Sequence, residues 1–185
     1  MLRLSASDAA ARLQDLAPLA RHPDEKARLA LLQAEAAFNA ADFPVALRHS
    51  ASALALASPG SAVALDAEIL HGHALAIGGR TDEGVHRLQH AVESAAANGQ
   101  SDKEAAAWAG LAYALHAGAR IGEAVQAQQR AVALTRRRSN RSELAHALAN
   151  LASVAHSAGD APLALAQAVE ADALFQAIGA AGVHT

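Results

Sequence analysis

The sequence contains no cysteine, which excludes disulfides and thiolate chemistry, nucleophilic or metal-ligating. Aromatic residues are scarce: three Phe, one Tyr and one Trp among 185 residues. A core with so few large side chains must be thin and closely packed. No run of about 18 apolar residues exists, so no spanning helix is expected. Clustered positive charge is confined to one short segment. The net charge of −3, with both signs interspersed, argues against a general nucleic-acid or anionic-membrane surface. Met1–Asp15 does not read as a secretory leader, because Arg3 stands alone and Asp8 interrupts any apolar stretch. The cytoplasm is therefore the expected location. Motifs that carry chemistry are absent too. Gly78-Gly79 follows no strand and reads as a turn, not a phosphate loop, and neither His-Glu-x-x-His nor Gly-x-Ser-x-Gly occurs. No cofactor and no enzymatic activity are expected.

What abounds is Ala and Leu. Ala is the strongest helix former, Leu follows it closely, and Val and Ile are scattered. An all-α protein is expected. The chain also repeats itself. Four segments align, beginning at Ala41, Gly79, Ala119 and Gly159, with spacings of 38, 40 and 40 residues. Each begins with a small residue that lets the chain reverse, since Gly tolerates positive φ. Each also has a small sixth residue (Ala46, Gly84, Ala124, Ala164), which lets a second helix press on the first. Pro44 and Pro162 suit the first turn of that second helix.

Helices are predicted over about 25–40, 63–78, 103–117 and 143–158 before the turns. They are predicted over about 43–56, 82–97, 121–136 and 161–178 after them. Breaker-rich segments separate the pairs, with Ser61, Ser101 and Ser142 as the expected N-caps. An additional helix over 7–20 is expected first, capped by Ser7 and carrying Leu13, Leu16 and Leu19 on one side.

The third copy, with Trp108, Leu111, Ala112, Ala124 and Ala131, resembles a tetratricopeptide repeat. So does the fourth, with Leu148, Asn150, Leu151, Ala152, Gly159-Asp160, Ala164 and Ala171. Copy two keeps Gly72 and Ala91. Copy one keeps Ala34, Ala46 and Ala53 but has Gln33 in place of the family's Leu. The period of about 40 exceeds the usual 34, as in the lengthened repeats of bacterial regulators and kinesin-light-chain-like proteins. The resemblance implies antiparallel helix pairs stacked as an α-solenoid. It implies one repeat domain over 1–185, with copies at about 25–60, 63–100, 103–140 and 143–178. It also makes Trp108 a core residue.

The resemblance places the first helices of successive pairs on a concave wall. Carried over position by position, that wall includes Glu35, Phe38, Asn39, Ile69, His73, Tyr113, His116, His146, Ser153 and His156. Arg28 is the one basic residue among these carried-over positions, so the wall lacks the cations that would clamp a terminal carboxylate. A helix or an extended peptide with apolar anchors suits it better. The function implied is a non-catalytic protein-interaction scaffold. The alternative is a sensor module that binds a signalling peptide or small ligand and controls an effector.

Three other features invite a reading. His86 and His90 lie four apart on one helix face but have no third ligand nearby, so no metal is expected. Arg136-Arg137-Arg138 with Arg141 is the sole basic cluster, and it reads as cations complementing a helix C-terminus. The last helix carries Leu174, Phe175 and Ile178, and the Gly-rich tail after it is too short for a capping helix. A terminal repeat needs a polar outer face or a cap. A homodimer contact is therefore expected there, unless these side chains fold back on the preceding helix.

Overall fold

A computed structural model describes residues 12–13 and 15–182. Among these there are eight α-helices and no strand. They are α1 (Pro23–Asn39), α2 (Phe43–Leu56), α3 (Ala62–Ile77), α4 (Thr81–Ala97), α5 (Ser101–Ala117), α6 (Ile121–Arg136), α7 (Arg141–Ser157) and α8 (Ala161–Gly182). Each helix packs on the next, and α3 also touches α1 and α5 directly. The first helices of the first three pairs thus lie side by side, with the second helices behind them. This is the helical-repeat solenoid that the resemblance implies.

The turns close in one way throughout. After α1, α3, α5 and α7 the residue at the start of each repeated segment takes positive φ: Ala41 59°, Gly79 85°, Ala119 58° and Gly159 77°. The amide of the following residue reaches back to the helix, as in Arg80 N–H to the Leu75 carbonyl at 2.9 Å and Arg120 N–H to the Leu115 carbonyl at 2.9 Å. This satisfies the last carbonyls that a helix leaves open. The helix that follows starts in one of two ways. Asp42 and Asp160 accept hydrogen bonds from the Val45 and Leu163 amides. Arg80 and Arg120 cannot accept; each forks onto the carboxylate three residues on, Glu83 and Glu123.

The small sixth residues do what the repeat predicts in three copies. Ala46 and Ala124 are fully buried, and Gly84 packs backbone against backbone. An ideal Cβ at Gly84 would stand 2.7 Å from the Gly72 carbonyl oxygen. Ala164 is only half-buried, because α8 has no following helix among the described residues. The largest buried cluster joins α3 to α6 and includes Val85, Leu88, Leu111 and Leu115, with Trp108 half-buried against it.

Several details differ from the sequence expectation. Ser61 caps α3 through the Ala64 amide, but Ser101 and Ser142 lie inside their helices. Gln100 holds the capping position of α5 and spends its side chain on the Gly60 carbonyl, while Asn140 caps α7 through the Glu143 amide. The last helix runs on to Gly182, since Ala180-Ala181 favours helix. Of the expected helix over 7–20, residues 7–11 with the cap Ser7 lie outside the described residues. Arg12, Leu13, Asp15 and Leu16 are helical, and Ala17–Leu19 form a 3-10 turn. Leu16 and Leu19 are exposed, so this segment does not bury the apolar side expected of it.

Candidate functional site

The inner face is set by α1, α3, α5 and α7. Glu35, His73, Tyr113 and Ser153 each stand six residues before their turn, so the solenoid brings them into one row. Phe38, His116 and His156 stand three residues before it and form a parallel row, because i and i+3 share a helix face.

Rings from three successive first helices meet across these rows. The Phe38 and His73 rings stack with centroids 6.2 Å apart, and Tyr113 sets its edge to His73 at 5.9 Å. Phe43 extends the line behind Phe38, edge-on at 5.7 Å. Tyr113 is 48% exposed, which makes it the accessible end. His73 is held differently. Its Nε2 is enclosed and has no hydrogen-bond partner among the described residues. Burial alone pushes its pKa down, so the ring is neutral near pH 7. Space for it comes from Gly110 of α5, where a Cβ would come 2.5 Å from His73 Nε2.

One turn before Phe38 lies Glu35, and beside it a charged group. Lys103 Nζ of α5 donates to both carboxylate oxygens of Asp66 on α3 at 2.6 Å, with Asp102 at 3.9 Å. Burial raises the Glu35 pKa and Asp66 adds repulsion, while Lys103 opposes them. Three carboxylates against one ammonium leave this end of the inner face acidic. Asp66 and Lys103 also edge a cleft of about 390 Å³ between α5 and α7, floored by Ala131 and Thr135 and bordered by His146.

The remaining expected residues are dispersed. Ile69 is 8% exposed and belongs to the central core cluster, so it offers the inner surface no anchor. His116 Nε2 pairs with Ser157 Oγ at 3.0 Å. His146 meets the Phe175 ring edge-on at 5.0 Å. Asn39, Ser153 and His156 are exposed. The sequence reading missed Lys103 as an inner-face cation and Gly110 as the room for His73.

His90 is engaged elsewhere. Its Nδ1 lies 2.7 Å from Oε1 of the buried Glu68, with Arg87 at 3.6 Å. Among the described residues no cluster of three or more His, Asp or Glu is placed to hold a metal. Arg136 and Arg138 of the basic cluster pair with Glu170 and Glu143. No helix of the described residues is long and apolar enough to cross a membrane.

No family model matches the sequence, and no curated protein matches it. Solved structures match the fold. A Rap protein complexed with competence and sporulation factor superposes with a TM-score of 0.83 at 14% identity, over 90% of this chain and 48% of its own. PlcR of Bacillus thuringiensis, in complex with the peptide PapR7 and DNA, gives 0.80 at 13% identity over 97% and 66%. A Podosopora anserina putative kinesin light chain with nearly identical TPR-like repeats gives 0.68 at 17% identity over 91% and 84%. This chain thus spans about half the length of the Rap protein and two-thirds of PlcR. The fold is that of tetratricopeptide-like repeats.

Proposed function

We propose that this chain is a non-catalytic peptide-binding module of the cytoplasm, one repeat domain over 1–185, whose inner face takes a peptide or helix. The observation that carries the reading is the ring line Phe38–His73–Tyr113, drawn from three successive first helices. An apolar or aromatic side chain of the ligand lies along it, and aromatic contacts of this kind are worth about 0.5–1.5 kcal/mol each. The acidic group at Glu35 and Asp66 receives a basic residue of the same ligand. The Rap protein and PlcR, which share the fold, are complexed with competence and sporulation factor and with the peptide PapR7, and that supports the same use here.

Panning a displayed peptide library against the protein tests this. Enriched sequences should pair an aromatic or aliphatic residue with a Lys or Arg. The double variant Tyr113→Ala with His116→Ala should bind them about tenfold more weakly with helicity intact, about 1.4 kcal/mol. Failure to enrich any sequence, or equal affinity in the folded double variant, refutes the inner-face assignment.

A regulatory sensor coupled to an effector would use the same face. It is favoured if the enriched peptides change the protein's association with a second protein. Self-association through α8 belongs to the same proposal, with a shifted contact. Leu174 packs against a core cluster and Phe175 leans on His146, yet Phe175 and Ile178 stay 37% and 36% exposed, and Leu165 and Val169 on the same helix are 68% and 61% exposed. A dimer seen by light scattering should dissociate in Val169→Glu.

A further inference from the structure

On the outer side the second helices α4 and α6 flank α5 without closing over it, and a cleft of about 880 Å³ opens between them. Its floor is apolar: Val92, Trp108, Leu111 and Leu115. Trp108 stands eleven residues before its turn, and the same position holds Glu68 in copy two and Leu148 in copy four. Glu68 is buried beneath Arg87 and His90, and Leu148 is fully enclosed. Trp108 alone of these leaves its side chain half-open on a cleft, with one long hydrogen bond of 3.4 Å from Nε1 to Glu104.

The rim is amide. Gln89 of α4 faces Gln126 and Gln129 of α6 across the opening. None of the three makes a side-chain hydrogen bond within the described residues. Their neighbour Gln128 is buried and donates to the Ala147 carbonyl at 3.0 Å. Glu93 and Arg130, one on each wall, also lack an ion-pair partner among the described residues.

We infer that this cleft is a second binding site, distinct from the inner face, for a short extended peptide with an apolar side chain. The carboxamides choose the occupant. Each offers two donors and an acceptor, matching the N–H and C=O of a peptide group. A helix has already spent the backbone groups of its interior turns on itself, so along its length the rim finds none to bind. An anionic polymer does not fit either, since Arg130 is the sole cation on the lining. The volume lies within the range of ligand-sized clefts. The indole floor takes the apolar side chain. Glu123, also on the lining, is already paired with Arg120, and Glu93 and Arg130 balance each other, so no net charge on the ligand is selected.

Trp108 is the only tryptophan in the chain, and it reports on the site directly. The probe is a pool of short, end-capped, tryptophan-free and tyrosine-free peptides bearing Leu, Ile or Phe at alternate positions. Members of the pool should shift Trp108 emission saturably. The double variant Gln126→Ala with Gln129→Ala, both surface changes, should weaken that response about tenfold. Tyr113→Ala should leave it unchanged, which separates this site from the inner face. The inference is overturned if no peptide shifts the emission saturably, or if the shift is lost with Tyr113→Ala and kept in the glutamine variant. It is equally overturned if a stapled helical peptide of the same composition binds more tightly than the extended one.

Discussion

Comparison of the four copies invites the substitution Gly84→Ala, since the other three carry Ala at that position. Matching a repeat to its consensus commonly stabilises, and Ala in a helix is favoured over Gly by about 0.8–1 kcal/mol. The structure predicts the opposite outcome. A Cβ on Gly84 would meet the Gly72 carbonyl oxygen at 2.7 Å and the Ala76 nitrogen at 2.9 Å, both backbone atoms of α3. Comfortable contact begins near about 3.5 Å, so the two helices must part by roughly half an ångström or more. Side-chain rotation cannot relieve a clash with backbone. Overpacking of this kind costs about 1–3 kcal/mol. Net of helix propensity, Gly84→Ala should destabilise by up to about 2 kcal/mol. For a chain of this size that lowers the melting temperature by about 2–4 °C per kcal/mol. Gly122→Ala is the control, because nothing lies within 4 Å of the added methyl. It should leave stability unchanged or raise it slightly. Thermal unfolding followed by circular dichroism separates the two. A melting point for Gly84→Ala equal to or above the parent would refute the close approach of α3 and α4.

Ala119 holds φ at 58°, a conformation costing a non-glycine residue about 1–2 kcal/mol. Ala119→Gly should therefore stabilise by roughly 0.5–1 kcal/mol after the added freedom of the unfolded chain is subtracted, read as a higher denaturant midpoint at unchanged slope. Ala124→Leu should cost about 1–3 kcal/mol in its fully buried site, while the exposed Ala106→Leu should stay within about 0.5 kcal/mol. Equal melting temperatures would undo the assigned helix contacts. Burial pushes the pKa values of His49, His71 and His73 below their ordinary value of 6.5, with neighbouring arginines adding to the effect at His49 and His71. Near and below that pH the unfolded chain therefore holds more protons than the folded one. Stability is full above pH 6.5 and falls as the pH drops through it. Melting temperatures measured on either side of pH 6.5 should show this loss, and His73→Gln should make it smaller.

The pairing of helices was legible because each turn needs a small residue that reverses the chain, and such residues recur at nearly fixed spacing. Helix starts were less so. A serine beside a breaker is a good cap by type, yet Gln100 and Asn140 lie one and two residues earlier and take the position instead. In the candidate site, the inner-face residues followed from the resemblance, carried over position by position, and Phe38, His73 and Tyr113 do meet. Ile69 did not follow, because α3 and α5 are buried against neighbours on more than one side. An apolar residue there is then as well placed in the core as on the wall. Lys103 and Asp66 are 37 residues apart, and a bond at that separation depends on how two repeats superpose, which local pattern does not state.

The clusters that hold the solenoid together have a consequence for how it moves. Ala37 and Ala46 of the first pair meet Ala74 of α3 in a small cluster with Phe38 on its flank, whereas the larger cluster runs from Ile69 of α3 to Ala127 of α6. Repeat arrays hold together by neighbour contacts alone, so the seam where the first pair meets α3 through small side chains opens at lower free energy than the larger cluster. Phe38 stands on one side of that seam and Tyr113 on the other, with His73 between them. A ligand spanning the rings therefore bolts the first helix pair to the rest. Amide hydrogens of α1 and α2 should slow their exchange on binding more than those of α5, even though α5 carries the most exposed ring.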